Sequence, residues 1–165
     1  DNEVARKKWR REASIIHDLN AHNRAKRFQC MMMLDTSEKF SEGSFWHVAQ
    51  ADFTGRIYPV SGTFNPQTTD LSRALHHFKE GGPIKNKKDA DWLGIAGANH
   101  WGLNKKSFQE RIEWAYKEGK HIAIDVAGNP EGYVGLWSKA DEPFQFFAWC
   151  LEWSQYQEEG FGWQQ

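Results

Sequence analysis

The sequence predicts a mainly α-helical protein with one small antiparallel β-hairpin, an α+β fold. Two observations support this. Apolar residues recur at helical spacing between polar caps over most of the chain. Only residues 45–61 form two aromatic and β-branched runs that a glycine-containing turn joins, which is the pattern of a hairpin. With 39% hydrophobic residues and no low-complexity tract, the chain is expected to fold.

The first forty residues predict two helices, 4–20 and 22–41. The first is highly charged. The second carries Phe28, Met31, Met32 and Phe40 near helical spacing, with Leu34 adding to the apolar stripe. The Met31–Met33 run is expected to pack in a core rather than to form a cofactor site.

The remaining chain predicts four helices bounded by capping residues, glycine or proline. In chain order these are a helix that Asp70 caps and that runs through Lys79, a helix from Asn86 to Gly102, a helix that Ser107–Glu110 opens with a capping box and that runs through about Ile124, and a final helix over about residues 142–158.

Charge is unevenly distributed along the 165 residues, although the net charge is only −1. Residues 1–30 hold eight lysines and arginines against four acidic residues. Such a run indicates either a solvated helix face or a surface that follows a nucleic-acid backbone. Both interpretations stay open on the sequence alone.

Cysteine content and apolar run lengths restrict the class of protein. Cys30 and Cys150 stand alone in apolar neighbourhoods, without the CxxC spacing of a metal site, and are expected to be buried thiols. No signal peptide or membrane-length apolar run occurs in the sequence. Because the chain starts without Met, inside a basic helical pattern, we expect it to be an excerpt of a longer protein.

The turn of the predicted hairpin is the candidate binding site. Asp52 and Arg56 bracket Gly55, and a hairpin tip presents such side chains to a ligand. Arginine offers a planar fork of donors that suits phosphate oxygens. The alternative is that Asp52 and Arg56 pair only to stabilise the turn and bind no ligand.

The sequence resembles the single-subunit DNA-dependent RNA polymerases of phages and mitochondria, with ordered matches over about residues 22–155. The matched positions are Asp52, Gly55, Arg56 and Tyr58; Phe64–Gln67; Asp70–Leu75; Gly82–Ile84; Trp92, Leu93, Ile95, Ala98 and Asn99; Phe108 and Glu110–Ile112; Trp137 and Ala140–Phe144; and Phe147, Ala148, Cys150 and Glu152. The resemblance implies a part of a hand-like polymerase fold. Residues 1–41 would form the end of the thumb and residues 42–165 the first part of the palm, together one compact unit.

The resemblance also implies roles for site residues. Arg56 would contact phosphate of the template strand and the RNA–DNA hybrid, Gly55 would permit a close approach, and Asp52 would orient the arginine through a charge-assisted hydrogen bond. The family commonly carries an arginine directly before the glycine, where this chain has Thr54, so a second basic contact is missing. On the thumb segment, the nucleic-acid-binding candidates are Arg24, Lys26 and Arg27.

Other reactive residue types point to structure rather than chemistry. His76 and His77 are adjacent and diverge on a helix, so they do not share a metal ion easily. His100 and His121 are expected at the surface or at caps. Asp141 and Glu142 are expected to cap the last helix and complement its dipole. The nine tryptophans are expected mainly in the core.

The resemblance implies that the parent protein copies a DNA template into RNA from ribonucleoside triphosphates. It also implies that the parent protein uses Mg²⁺. The metal-binding aspartates of the family lie outside this segment, so no catalytic residue, metal site or cofactor is expected here, and the segment alone should be inactive. Expected partners are the DNA template and the RNA–DNA hybrid, and no membrane. Exposed apolar faces predict self-association.

The expected location is the cytoplasm of a phage-infected host cell, with the mitochondrial matrix as second choice. Two other functions stay open. A stand-alone nucleic-acid-binding module would use the same basic residues and bind with a steep salt dependence. A carbohydrate-binding domain would use exposed tryptophans as stacking platforms and be indifferent to salt.

Overall fold

The computed structural model describes residues 2–164, and the chain divides into two compact units, Asp1–Asn65 and Pro66–Gln165. Helices dominate both units, and the described residues contain one two-stranded antiparallel sheet. The predicted α+β class with a single small hairpin is therefore confirmed. The division at residue 41 into thumb-like and palm-like regions stays a prediction.

The first unit is built on one long helix, α1 (Asn2–Lys39). The prediction of two helices, 4–20 and 22–41, was wrong because nothing breaks the helix between them. Ala21 stands at the expected junction, and alanine is the strongest helix former.

The apolar side chains of α1 do not form the predicted buried stripe. Phe28 and Met31 are each 65% exposed, and Met32 is also exposed. Met33 is the buried residue of this helix, at 2% exposure. It lies about 100° around the helix from Met32, since each residue advances by that angle. Of the Met31–Met33 run that was expected in the core, Met33 is buried, whereas Met31 and Met32 are exposed.

A small apolar cluster follows α1. The rings of Phe40 and Phe45 lie 4.9 Å apart, and those of Phe45 and Phe64 lie 6.0 Å apart. Phe64 is buried, and the Asn65 side chain donates a hydrogen bond to the Ser61 carbonyl. These contacts anchor the two ends of the segment that carries the hairpin.

The hairpin consists of strands β1 (Ala49–Ala51) and β2 (Ile57–Pro59). Ala49 pairs with Pro59 and Ala51 with Ile57 in an antiparallel register. Both strands lie within the predicted span 45–61, and most of their side chains are exposed.

The second unit contains the remaining helices, which a backbone pairing of Ile84 with Gly162 and Trp163 helps to close. They are α2 (Asp70–Ala74), α3 (Lys87–Trp101), α4 (Phe108–Trp114), a π-helical turn (Ala115–Gly119), α5 (Lys120–Gly128), α6 (Val134–Trp137) and α7 (Pro143–Glu159). Asn86 caps α3, and Ser107 with Glu110 forms the predicted capping box of α4.

Two predicted helices need correction. The helix expected over 70–79 ends at Ala74, and its N-cap is Thr69 rather than Asp70, because the Asp70 carboxylate is used by α7. The helix expected from Ser107 through Ile124 is not uniform. It widens into the π-helical turn and continues to Gly128. The short helix α6 was not predicted.

The core of the second unit forms where α7 packs between α3 and α5. On α7, Phe146, Trp149 and Trp153 are almost fully buried, and their rings stack in sequence at centroid distances of 5.4 and 5.3 Å. The Trp149 indole N–H donates to the Leu93 carbonyl of α3 at 2.8 Å. Glycine at position 97 makes this contact possible, since a Cβ there would collide with the Trp149 ring.

Tryptophans were expected mainly in the core, and the structure shows a mixed outcome. Trp149, Trp153 and Trp163 are buried, whereas Trp9, Trp46 and Trp92 are more than half exposed. None of the helices formed by residues 2–164 is long and apolar enough to span a bilayer.

Candidate nucleic-acid interface

The five residues 52–56 form a turn whose backbone is closed by two hydrogen bonds. The Asp52 N–H donates to the Arg56 carbonyl at 2.8 Å, and the Gly55 N–H donates to the Asp52 carbonyl at 3.1 Å. Gly55 has φ +80°, a left-handed conformation that L-residues with a side chain adopt at a cost. The sequence predicted a glycine turn here, and the backbone explains why glycine occupies this position.

The Asp52 carboxylate organises this turn from inside. Its Oδ1 atom accepts hydrogen bonds from the Thr54 hydroxyl at 2.6 Å, the Thr54 N–H at 2.8 Å and the Arg56 N–H at 3.0 Å. These donors favour the charged carboxylate, and the Thr54 hydroxyl is the largest contributor to a pKa of Asp52 below its ordinary value. Asp52 therefore fixes the backbone on either side of Gly55.

The contact between Asp52 and Arg56 differs from the expected one. Asp52 accepts from the main-chain N–H of Arg56, whereas a charge-assisted bond to the guanidinium was expected. Across the described part of the chain, no acidic side chain pairs with the Arg56 guanidinium. Asp52 sets the direction of the backbone at Arg56 and leaves the cationic group available for a ligand.

The tip of the turn is fully open to solvent. The exposure of Phe53 reaches 101% of its reference value, and Thr54, Gly55 and Arg56 are exposed as well. A rigid turn that presents one arginine next to one bare aromatic ring offers one phosphate contact and one stacking surface.

The second group of predicted residues, Arg24, Lys26 and Arg27, lies on α1, and all three side chains are exposed. In the first half of α1, Lys7 pairs with Glu3 at 3.2 Å and Lys8 approaches Glu12 at 3.9 Å. No such pair involves an arginine of α1 within residues 2–39. The arginines, like Lys26, thus have no acidic partner among these ion pairs.

Helical geometry separates the three residues. Arg24 and Arg27 are three positions apart and so lie on the same side of α1. Lys26 is two positions from Arg24, which places it about 200° around the helix. Arg6, five turns before Arg24, shares its face and lies about 27 Å away along the axis. The helix therefore presents a stripe of arginines, defined as Arg6, Arg10, Arg24 and Arg27, and Lys26 lies outside it.

In the second unit, the structure reveals a polar bridge that the sequence did not predict. Glu142 accepts from Arg73 Nη2 through Oε1 and contacts His100 Nδ1 through Oε2, both at 2.7 Å. Burial alone would raise the pKa of Glu142, but the bonds and charges of His100 and Arg73 outweigh it and lower the pKa. The three side chains come from α2, the end of α3 and the start of α7.

This bridge corrects two expectations. His100 is partly buried and contacts the Glu142 carboxylate, so it is not at the surface or a cap, and Glu142 does not cap α7 with its side chain. Asp70 of α2 caps α7 instead, accepting from the Phe144 N–H at 2.7 Å and the Gln145 N–H at 3.0 Å. The partners are 42 to 75 residues apart in sequence, and no spacing rule could have identified them.

Among the described residues we find no reactive cysteine and no metal site. Cys150 is buried, and desolvation raises the pKa of its thiol to about 12, which makes it unreactive. Cys30 is only partly buried, against the expectation of a buried thiol. Within residues 2–164, no group of three or more His, Cys, Asp or Glu side chains is arranged to hold a metal ion.

The chain is similar in sequence to DNA-dependent RNA polymerases. A family model for DNA-dependent RNA polymerase matches residues 84–161. The chain is 34% identical over 154 residues to a DNA-directed RNA polymerase of Enterobacteria phage K11 and 32% identical over 153 residues to T7 RNA polymerase of Escherichia phage T7. These alignments cover 93% and 92% of the chain.

A mitochondrial DNA-directed RNA polymerase of Mus musculus is 36% identical over 127 residues, or 76% of the chain. The chain belongs to the single-subunit DNA-dependent RNA polymerase family of phages and mitochondria. It spans 17% of the length of the two phage relatives and 10% of the mouse relative. The resemblance predicted from the sequence is confirmed.

Proposed function

We propose that this chain is the thumb–palm segment of a DNA-directed RNA polymerase and that it holds the RNA–DNA hybrid and template strand through phosphate contacts. The observation that carries the proposal is the turn at 52–56, where internal bonds of Asp52 leave the Arg56 guanidinium exposed and without an acidic partner in the described chain. A preorganised arginine loses little conformational freedom when a phosphate binds.

The arginine stripe of α1 supports the same proposal. Like charges along one side of a helix repel each other, and neutralisation by a polyanion removes that repulsion and releases counterions. Four arginines over about 32 Å of helix suit several successive phosphates of a duplex rather than one small anion.

Binding of a short RNA–DNA hybrid, measured by fluorescence anisotropy over a salt series, tests this function. Arg56→Ala should weaken binding by about 1–3 kcal/mol, the range for a lost charged hydrogen bond, and lower the salt slope by about one. Lys39→Ala is the matched control, because Lys39 is exposed but paired with Asp35 at 2.6 Å. Equal affinities of Arg56→Ala and the unaltered chain at every salt concentration would remove Arg56 from the interface.

Helix α1 allows a second, independent comparison. The double variant Arg24→Ala/Arg27→Ala should lower the salt slope by about two, whereas Lys26→Ala should leave it nearly unchanged because Lys26 lies outside the stripe. If Lys26→Ala lowers the salt slope by half as much as the double variant does, the whole circumference of the helix attracts nucleic acid without a defined face.

For the longer protein we propose template-directed synthesis of RNA from ribonucleoside triphosphates. Nucleotidyl transfer uses acidic residues that hold two metal ions, and Mg²⁺ suits that role. The described residues do not fit such a site: Glu142 is engaged by Arg73 and His100, and Asp70 by the start of α7. We therefore assign no step of the chemistry to a metal in this chain. The proposed location is a phage-infected host cell, with the mitochondrial matrix as the second candidate.

The second candidate function is a stand-alone nucleic-acid-binding module. The open hairpin tip and the arginine stripe would serve it equally well. The two functions can be distinguished by adding, as a separate polypeptide, the regions of a phage relative that this chain does not cover. Restored RNA synthesis supports the polymerase segment, and hybrid binding without any restored synthesis supports the module.

A further inference from the structure

Thr54 lies at the tip of the hairpin turn, between Phe53 and Gly55, and its side chain is exposed to solvent. Its hydroxyl nevertheless bonds back into the turn, donating to Asp52 Oδ1 at 2.6 Å. A threonine hydroxyl has one proton to donate, so this bond uses the only donor of the side chain. Thr54 therefore cannot donate from its side chain to a phosphate without breaking its bond to Asp52.

The same carboxylate oxygen accepts from two further donors. Asp52 Oδ1 is 2.8 Å from the Thr54 N–H and 3.0 Å from the Arg56 N–H. A carboxylate offers about four lone-pair sites, or about two for each oxygen, so Oδ1 has no capacity left for another strong donor. The low pKa of Asp52, to which the Thr54 hydroxyl contributes most, agrees with a carboxylate whose charge the turn already satisfies.

The strongest competitor for that oxygen is the Arg56 guanidinium. Asp52 and Arg56 stand on either side of a tight turn and carry opposite charges, so an attraction between their side chains is expected. Within residues 2–164, however, no ion pair joins them, and Asp52 contacts only the main-chain N–H of Arg56. Neutral donors occupy Oδ1, and the guanidinium stays free of the carboxylate.

We propose that Thr54 is a positioning residue for nucleic-acid binding at the hairpin: its hydroxyl occupies the Asp52 carboxylate and so keeps the Arg56 guanidinium available for phosphate. This inference rests on the proposed function, because Thr54 has this role only if Arg56 contacts nucleic acid. Thr54 itself donates nothing to the phosphate. It acts through Asp52, which it holds, and through Arg56, which it leaves free.

Removal of the hydroxyl should weaken binding for two reasons. Valine has the shape of threonine and lacks the donor, so Thr54→Val frees one site on Asp52 Oδ1. The Arg56 guanidinium can then pair with the carboxylate, and a phosphate must compete with that internal ion pair. The turn also loses one of its bonds, so more of the chain must become ordered when the nucleic acid binds.

The affinity of the full chain for a short RNA–DNA hybrid, measured by fluorescence anisotropy at one moderate salt concentration, tests the proposal. Thr54→Val should bind roughly three- to tenfold more weakly, the effect of one lost hydrogen bond. Thr54→Ser keeps the hydroxyl and should bind like the unaltered chain. Thr36→Val is the matched control, because the Thr36 hydroxyl donates to the Met32 carbonyl at 2.7 Å inside α1 rather than in the turn.

A double-mutant cycle shows whether Thr54 acts through Arg56. Arg56→Ala removes the group that Thr54 keeps available, so Thr54→Val should have almost no further effect in the Arg56→Ala background. A loss of affinity that comes from general destabilisation of the chain would persist in that background. Thermal melting confirms that each variant is folded, and Thr54→Ala, which also lacks the hydroxyl, replaces Thr54→Val if the valine variant unfolds.

Three results would overturn the proposal: equal affinity of Thr54→Val and the unaltered chain, equal losses with Thr54→Val and Thr54→Ser, or an undiminished effect of Thr54→Val in the Arg56→Ala background. Arg56→Ala separates this inference from the proposed function. If Arg56→Ala weakens binding and Thr54→Val does not, the hairpin still binds nucleic acid and only the role of Thr54 fails. If neither variant weakens binding, the proposed function of the hairpin fails as well.

Discussion

Trp149 lies flat against the backbone of α3 at Gly97, so closely that a Cβ at position 97 would overlap Cε2 of the indole. The same indole donates to the Leu93 carbonyl one turn earlier. Helices α3 and α7 are therefore held at a separation that only glycine permits at this point.

Gly97→Ala should destabilise the second unit by about 1–3 kcal/mol, the usual penalty for overpacking a core, because neither the indole nor the backbone can yield. Urea denaturation measures this. Gly135→Ala in α6 is the control, since an alanine Cβ there would meet no atom within 4 Å and alanine is the better helix former. Equal destabilisation by both variants would contradict the packing explanation.

The Glu142 bridge predicts a dependence of stability on pH. The folded pKa of Glu142 lies below its ordinary value, so the bridge contributes stability above the unfolded value of 4.5 and loses it as pH falls through the lower folded pKa. Glu142→Gln should remove about 1 kcal/mol at neutral pH, a value kept small by the partial exposure of all three side chains.

Denaturation midpoints of the unaltered chain and Glu142→Gln, measured between neutral pH and about pH 3, test this. The two stability curves should converge on the acid side. Parallel curves at all pH values would mean that the carboxylate is not the titrating group.

Asp70 should act as the cap of a helix other than its own. Asp70→Ala leaves the Phe144 and Gln145 N–H groups without this acceptor and should cost about 1–2 kcal/mol, as the loss of an N-cap does. Asp70→Asn keeps an acceptor oxygen and should cost less. If both variants match the unaltered chain in thermal melting, α7 does not depend on this cap.

Gly55→Ala should disturb the hairpin selectively. A left-handed conformation at φ +80° costs a side-chain-bearing residue roughly 1–2 kcal/mol, and this cost falls on a local turn rather than on either core. Amide hydrogen exchange of β1 and β2 should accelerate, while that of α7 should stay the same. Faster exchange throughout α7 would indicate that the two units unfold together.

Exposed apolar residues on α1 predict self-association of this chain. Trp9, Ile15, Ile16 and Leu19 are all more than half exposed, and such patches favour association. Sedimentation velocity should show a concentration-dependent increase in mass, which Ile16→Glu reduces. A monomer at every concentration would contradict the prediction.

The sequence predicted features that local chemistry decides. The capping box at Ser107, the cap at Asn86 and the glycine turn at 52–56 all rest on neighbouring residues, and the structure contains each of them. The family was also predictable, because collinear matches extend over most of the chain.

Features that depend on distant partners were not predictable. The carboxylates of Asp70 and Glu142 looked like caps of their own helices, and only the packing of α2 against α7 shows that Asp70 caps its neighbour and Glu142 binds Arg73. Met32 and Met33 are chemically alike, so only the direction of α1 decides which of them is buried.

The π-helical turn between α4 and α5 has a consequence for the alignment of the core. The buried positions Ala115, Gly119 and Ala123 are spaced by four, and in a uniform α-helix each such step overshoots a full turn by about 40°. The wider π-helical turn holds an additional residue, so each of its residues rotates by a smaller angle around the helix axis. This smaller rotation cancels part of the overshoot of about 40°. Deleting one exposed residue, such as Lys117, would straighten the helix but rotate Ala123 and Val126 away from α7. The π-helical turn thus keeps Ala115, Gly119 and Ala123 on the same side of the helix.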